Sequence, residues 1–481
     1  MLDMLLEGGR TGLLIGGQWQ SGSGTIDVVD PATEEVIAEV ATAGEAEAVA
    51  AVDAADEAAA SWSITPPRER GEVLRRAFEL MRSREESLAE LISRENGKAF
   101  NDALGEVRYA AEFFRWFSEE ASRIGGEIRT APGGDKRIIT LPQPVGISVL
   151  ITPWNFPAAM ATRKLGPALA AGCTTVLKPA SDTPLTALAV ASILEESGLP
   201  AGVVNVISAR GSSGVIEKIL SDPRVRKLSF TGSTEVGRTL LEQAAGTVLR
   251  TSMELGGNAP FVVLDDASIE EALAGAMVAK MRNAGEACTA ANRFLVHEAV
   301  ADDFSAQLTE RMAALRLGPG VDRDTEVGPM ITARARDDIA GLVQGAVDGG
   351  ATVATGGSAP SGQGYFYSPT VLTGVDPTAD ILDREIFGPV APIVTFSSED
   401  EAVKLANDTP FGLIAYVYTS DLSRGMRVSE KIEAGMIGLN RGLVSDPAAP
   451  FGGVKQSGLG REGGREGIWE FLETKYVATQ F

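Results

Sequence analysis

Between residues 146 and 264 the chain alternates short apolar runs with longer helical ones, and no other feature restricts its fold as strongly. Strand patterns at 147–151, 174–177, 203–207, 227–230 and 261–264 are separated by helical patterns at 158–171, 184–197, 212–220 and 234–245. Such alternation implies an α/β fold with a parallel sheet built of right-handed crossovers. Ligands in these sheets bind beyond the carboxyl ends of the strands. The residues found there are Pro153-Trp-Asn155, Lys178-Pro-Ala-Ser181, Ser208–Gly211 and Thr231-Gly-Ser-Thr-Glu-Val-Gly237.

A second alternating series follows Asp265. It has helical patterns at 268–283, 300–315, 332–348, 399–406 and 421–432, and strand patterns at 293–297, 351–355, 393–396, 414–418 and 436–439. Ahead of both series lie short strands with tight turns over 11–43, then Ala-rich and charged helices from 43 to 124. Residues 125–143 break the helical period, and the C-terminal stretch 475–481 reads as a strand. Two such strands suit pairing between subunits, since an exposed edge invites a partner, and they equally suit pairing within the chain. A site in the cleft between the two α/β units is the expectation.

Composition removes several functions. A net charge of −22 disfavours nucleic acid and anionic membrane surfaces as partners. No stretch is apolar for the length that a membrane span requires. The first ten residues carry Asp3 and Glu7 where a signal peptide would be basic. Two cysteines provide no disulfide framework and suit a reduced, cytoplasmic chain. The one histidine, His297, follows a strand pattern, so His-dependent hydrolase schemes and zinc sites are poorly supported.

Phe230-Thr-Gly-Ser-Thr-Glu-Val-Gly237 has the form of a strand, a glycine turn and a helix start. Free N–H groups at that helix start would suit a phosphate, although a tight turn explains the pattern as well. Lys178 adds a cation at a neighbouring strand end. Some dinucleotide sites have an acid where Ser181 stands, to hold a ribose hydroxyl. Serine admits a 2′-phosphate, so charge favours NADP over NAD, with Asp182 next door opposing. Cys288 lies among small residues in Met281-Arg-Asn-Ala-Gly-Glu-Ala-Cys-Thr289. Alone, such a cysteine is more often a small buried hydrophobe than a nucleophile.

Taken together, seven segments in order resemble the NAD(P)-dependent aldehyde dehydrogenases. They are Thr152-Pro-Trp-Asn-Phe-Pro157, Lys178-Pro-Ala-Ser181, Phe230–Gly237, Met253-Glu-Leu-Gly-Gly257, Gly285-Glu-Ala-Cys288, Glu385-Ile-Phe-Gly-Pro389 and Pro450-Phe-Gly-Gly-Val-Lys-Gln-Ser-Gly458. Within the family the chain is most similar to the succinate-semialdehyde dehydrogenases, through residues 158–164, Arg282-Asn283, Gly442-Leu-Val-Ser445 and 458–463.

The resemblance implies a Rossmann-like NAD(P)-binding domain (1–124 and 144–253) and a second α/β catalytic domain (254–460). Segments 125–143 and 461–481 would form a small β oligomerisation excursion in a homodimer or homotetramer. It implies Cys288 as a thiolate nucleophile, Asn155 as oxyanion donor and Glu254 as the base for water. Trp154, Asn155, Lys178, Ser181, Gly232, Ser233, Leu255 and Glu385 would line the path of NADP or NAD. Glu462 matches a second family glutamate assigned to proton relay. Arg163, Arg282 and Ser445 would hold the far carboxylate of a small aldehyde, since a guanidinium suits a carboxylate bidentately. A broader range of carboxylated aldehydes, such as glutarate semialdehyde, and a cofactor-independent cysteine esterase are the alternatives. Relatives with a second cysteine two residues after the nucleophile can form a disulfide; Ala290 stands there, so no such switch is expected. Arg441 places an added cation where relatives have a smaller or acidic residue.

Overall fold

The computed structural model describes residues 1–211 and 213–480. Its first sheet contains five parallel strands in the spatial order Val204–Val206, Thr175–Lys178, Ile147–Ile151, Val225–Thr231, Arg250–Glu254. The chain enters at Ile147–Ile151 and winds first to one side and then to the other. The strand order therefore reverses between Ile147–Ile151 and Val225–Thr231. At such a reversal the connections leave in opposite directions and open a crevice beyond the strand ends. Antiparallel strands extend both edges: Leu13–Ile15 with Gln18–Gln20 on one side and Gly458–Leu459 on the other.

The second sheet is ordered Thr352–Thr355, Thr370–Thr373, Val390–Phe396, Ala291–His297, Ala259–Val263, Ile414–Tyr418, Met436–Leu439. All neighbouring pairs but the first are parallel. Its central strands are buried on both faces, as near-continuous apolar runs such as Phe261-Val-Val263 require.

Two expectations change. The strand near 261–264 spans Ala259–Val263 and belongs to the second sheet, not the first. The first sheet is completed instead by Arg250-Thr-Ser-Met-Glu254, whose polar sequence hides a strand with a buried end. The helix expected through 283 ends at Met281, because Asn283 and Ala284 adopt left-handed backbone (φ 52° at each) and turn the chain towards Cys288. The helix expected over 212–220 spans Ser213–Leu220, with Ser212 outside the described residues.

The stretches expected to hang free pair with each other. Leu472–Thr479 runs antiparallel to Arg137–Pro144, which also pairs with Glu127–Thr130; Phe481 lies outside the described residues. Ile128, Leu141, Tyr476 and Val477 remain exposed on this small sheet. Residues 458–462 do not join it. Gly458–Leu459 pairs with Arg250–Glu254, and Glu462 is buried against Arg163 and Lys164.

Two buried glutamates close helix starts behind the first sheet. Glu106 accepts the N–H groups of Ala158 (2.8 Å) and Ala159 (3.2 Å) at helix Pro157–Ala171. Glu95 does the same for Leu185 and Thr186 (2.8 Å each) at helix Pro184–Glu196. Both satisfy N–H groups that lack partners within the helix.

Leu150 is fully buried at the centre of the first sheet. Leu150→Ala is expected to lower unfolding free energy by about 2–5 kcal/mol in urea denaturation; a loss under about 1 kcal/mol would mean that the strand is not central to the core.

Candidate active site

The carboxyl edge of the first sheet meets the amino edge of the second. Glu254 is the last residue of its strand, and Ala259 opens the first strand of the other sheet. The link Leu255–Asn258 is too short to let the two edges separate. Cys288 lies just before strand Ala291–His297, at that same amino edge. Gly257 permits the approach: a Cβ there would lie 2.4 Å from the Cys288 carbonyl oxygen.

A cavity of about 230 Å³ occupies this junction. Trp154, Asn155, Gly232, Ser233, Glu254, Leu255, Cys288 and Glu385 all line it, together with Pro153, Met160, Thr231, Gly256 and Phe387. Eight of the expected residues, drawn from five stretches of sequence, thus share one space. Lys178 and Ser181 lie outside it, at and just beyond the end of the adjacent strand Thr175–Lys178. Arg163, Arg282 and Ser445 do not line it either.

Burial governs the chemistry of the cavity. It pushes the Cys288 thiol up to about 12, with Glu385 and Glu254 adding to the rise and the Arg163 and Arg282 charges opposing it. Burial thus favours the neutral thiol at rest, so the thiolate that attacks would form by loss of its proton to a base in the cavity. Burial also raises Glu254 well above the ordinary carboxylate range, and Glu462 adds to this. Neither Glu254 oxygen has a hydrogen-bond partner among the described residues. A carboxylate of that kind takes up a proton readily, as a general base requires. Burial likewise lifts Glu385 to about 7, although it accepts the Gly257 N–H at 3.2 Å.

Asn155 is held on every side. Its Nδ2 donates to the Glu286 carbonyl (3.0 Å), and its own carbonyl accepts from Lys98 Nζ (2.6 Å) and Asn283 Nδ2 (3.0 Å). One amide hydrogen serves Glu286, which leaves the other for a ligand.

The two arginines differ. Arg163 is buried, pairs with Glu462 at 2.5 Å, and stacks its guanidinium 4.3 Å from the Phe451 ring centroid. Lys164 pairs with the other Glu462 oxygen. Although burial opposes ionisation, Lys164 and Arg163 keep Glu462 charged. Arg282 has no hydrogen bond or ion pair among the described residues, and its guanidinium lies 4.7 Å from the Phe156 ring centroid. Ser445 is half-buried in the loop after strand Met436–Leu439. Arg441 is exposed, and its charge faces Tyr418.

Sequence patterns gave no sign of Tyr109. Its hydroxyl is buried beside Arg163, in a field to which Arg282 and Cys288 also contribute. It sits in an amphipathic helix, Phe100–Glu120, where nothing separates it from a core aromatic. Phe156 and Phe451 were part of quoted motifs, but their packing against cations needed the fold. His297 caps helix Glu298–Ala313 through Nδ1, remote in role from this cavity.

A dinucleotide fits the remaining features. With Glu106 and Glu95 closing two helix starts, the helix Thr234–Ala245 presents its start, capped by Ser233, beside the cavity. The buried Thr231 hydroxyl has no partner among the described residues. Ser181 donates to the Ala209 carbonyl (3.0 Å), which draws the Lys178 and Arg210 loops together. The Asp182 carboxyl, raised by burial, is opposed by both the Arg210 and Lys178 charges. No cluster of groups suited to a metal ion occurs among the described residues.

The raised thiol has a direct consequence. Iodoacetamide should alkylate Cys288 in the cofactor-free protein far more slowly at pH 7 than a free thiol, with a rate still rising beyond pH 9. Peptide mass spectrometry distinguishes it from the buried Cys173. Rapid alkylation at pH 7 with a midpoint below about 8 would contradict the neutral thiol.

The sequence model of the aldehyde dehydrogenase family matches residues 19–477. A succinate-semialdehyde dehydrogenase of Paenarthrobacter nicotinovorans is 56% identical over 442 residues, covering 92% of this chain and 98% of the relative. A glutarate-semialdehyde dehydrogenase of Pseudomonas putida is 48% identical over 468 residues, covering 96% of each. The crystal structure of an NADP-dependent enzyme of E. coli superposes with a TM-score of 0.97 at 46% identity, covering 98% of each chain. With its motifs gathered on one cavity and its whole length matched, this chain belongs to the aldehyde dehydrogenase family.

Proposed function

We propose that the chain oxidises succinate semialdehyde to succinate with NADP, through a covalent adduct on Cys288. The observation that carries the substrate is Arg282: a guanidinium without a protein partner among the described residues, whose charge faces Cys288. An arginine so placed suits the far carboxylate of a short aldehyde acid. The identity to the Paenarthrobacter enzyme supports the same substrate. Arg163, tied to Glu462, adds positive field, and Ser445 supplies a further donor.

Cys288 attacks the aldehyde carbon and gives its proton to a base in the cavity, for which Glu254 is the candidate. The oxyanion is held by the free Asn155 amide hydrogen and the Cys288 N–H. Such donors typically contribute a few kcal/mol to the barrier. NADP, when bound, supplies the hydride acceptor that converts this adduct to a thioester. Glu254, once it has passed the thiol proton to solvent, takes a proton from water; the hydroxide adds to the thioester carbon, and collapse releases the acid and the Cys288 thiolate, which recovers a proton from Glu254. Glu462, held charged by Lys164 and Arg163, raises the proton affinity of Glu254.

For the cofactor, Trp154, Gly232, Ser233, Leu255 and Glu385 border the nicotinamide end, and Lys178 and Ser181 the adenosine end. Two cations, Lys178 and Arg210, face the single acid Asp182 there, which favours a 2′-phosphate. The E. coli structure's NADP dependence supports this choice. We assign cofactor binding to 1–124 and 144–253, catalysis to 254–460 with Glu462, and oligomer contacts to 125–143 and the strand Leu472–Thr479. The apolar side chains exposed on the small sheet suit a homodimer or homotetramer. No described helix is long and apolar enough to cross a membrane; we place the protein in the cytoplasm on the grounds of its free thiols.

NADPH absorbance on adding aldehyde tests the reaction. Cys288→Ala should abolish turnover while NADP still binds; ester cleavage without NADP would instead favour the esterase. Arg282→Ala should raise KM for succinate semialdehyde about tenfold or more and leave an uncharged aldehyde within about twofold, as the loss of a charged anchor predicts. Equal losses on both would make Arg282 structural. A higher kcat/KM for glutarate semialdehyde than for succinate semialdehyde would move the substrate to the longer acid.

A further inference from the structure

Lys98 lies at the left-handed end of helix Glu85–Asn96, one residue past Gly97. Its side chain is fully buried, as is that of its partner Glu106, 2.6 Å away. A buried ion pair is weak evidence for stability, since desolvation offsets much of the attraction. What this pair touches is more informative. Lys98 Nζ donates to the Asn155 carbonyl at 2.6 Å. The second Glu106 oxygen accepts Ala158 N–H and Ala159 N–H. One ion pair thus grips the turn 152–157 at Asn155 and again at the start of the helix that follows.

The same turn is fixed from other directions. Asn96 Nδ2 (3.2 Å) and Thr183 Oγ1 (3.3 Å) both donate to the Trp154 carbonyl. Asn283 Nδ2 shares the Asn155 carbonyl with Lys98 and also donates to the Glu286 carbonyl at 2.9 Å, the oxygen that receives the Asn155 amide. Asn283 belongs to the left-handed turn that leads to Cys288, and its N–H is held by Asp102 at 2.8 Å. The peptide of Asn155 and the nucleophile loop are therefore locked to each other through Asn283, and Lys98 holds the same Asn155 carbonyl from the other side. An oxyanion donor works only when its direction is fixed before the reaction, because reorganising it costs what the hydrogen bond returns.

We infer that Lys98 is a positioning residue for catalysis, which fixes the Asn155 amide in its donating direction through the Asn155 carbonyl and the Glu106 cap. It touches neither substrate nor cofactor and acts through Asn155. This rests on Asn155 being the oxyanion donor.

The test is a double-mutant cycle on single-turnover NADPH formation, using Lys98→Met, Asn155→Ala and the pair, with NADP affinity read by fluorescence titration. Asn155→Ala should slow the step about 10²–10³-fold, as loss of one oxyanion donor does. Lys98→Met should slow it about tenfold or more while NADP affinity stays within about twofold. In the Asn155→Ala background Lys98→Met should cost less than about twofold, because residues in one network do not add. Losses that multiply, or a Lys98→Met rate equal to wild type, overturn the positioning role. Asn155→Ala at the wild-type rate would instead remove the oxyanion assignment on which it rests. Should Lys98→Met fail to fold, Glu106→Gln, which retains acceptors for Ala158 and Ala159, carries the same cycle with the same opposed outcomes.

Discussion

The short link from Glu254 to Ala259 is the constraint on which the site depends. It leaves the carboxyl edge of one parallel sheet and enters the amino edge of another within a few residues. The two edges must then face each other. Everything with chemical capacity at either edge is drawn to the junction: Asn155 and Ser233 after strands of the first sheet, Cys288 ahead of a strand of the second. Glycine at 257 is required because the Cys288 backbone occupies the space of a side chain. The crevice at the strand reversal of the first sheet opens onto the same place, so Trp154, Gly232 and Ser233 share one cavity with the thiol.

Withholding water from this junction sets the proton chemistry. Cys288, Glu254 and Glu385 all rise in pKa for the same reason, burial. A thiol whose pKa burial raises reacts slowly with oxidants and alkylating agents until a base takes its proton. The counterweight is a set of cations behind the cavity, Arg163 and Lys164 on Glu462 and Lys98 on Glu106. Each is paired, so each shapes the field without itself being free to bind a carboxylate. Arg282, unpaired among the described residues, is the exception, and that difference separates it from Arg163.

Much of this was legible in the chain. Alternating apolar periods gave the parallel sheets, and the strand-end rule singled out Trp154, Asn155, Gly232 and Ser233, which line the cavity. The motif containing Glu254 was legible, but its strand was not. Arg250-Thr-Ser-Met-Glu254 is polar because its end faces a site, and a periodicity rule reads polarity as solvent. Tyr109, Lys98 and Glu106 were missed for a related reason. Glu106 and Tyr109 sit in the amphipathic helix Phe100–Glu120 and Lys98 in the turn before it, a stretch that the sequence marks as packing, and only neighbours distant in sequence give them a part in the site.

Sequence by itself determined the family and the two α/β units, and singled out Cys288, Glu254 and Asn155, which line one cavity, because these rest on local periodicity and on short motifs whose spacing is fixed along the chain. Tertiary structure alone decided which arginine is free of a protein partner among the described residues, what raises the pKa of the thiol, and which strands complete each sheet. Those depend on burial and on partners far apart in sequence: Arg163 with Glu462, Lys98 with Asn155, Leu472–Thr479 with Arg137–Pro144. Charge and exposure are properties of surroundings, and the surroundings exist only once the two sheet edges have met.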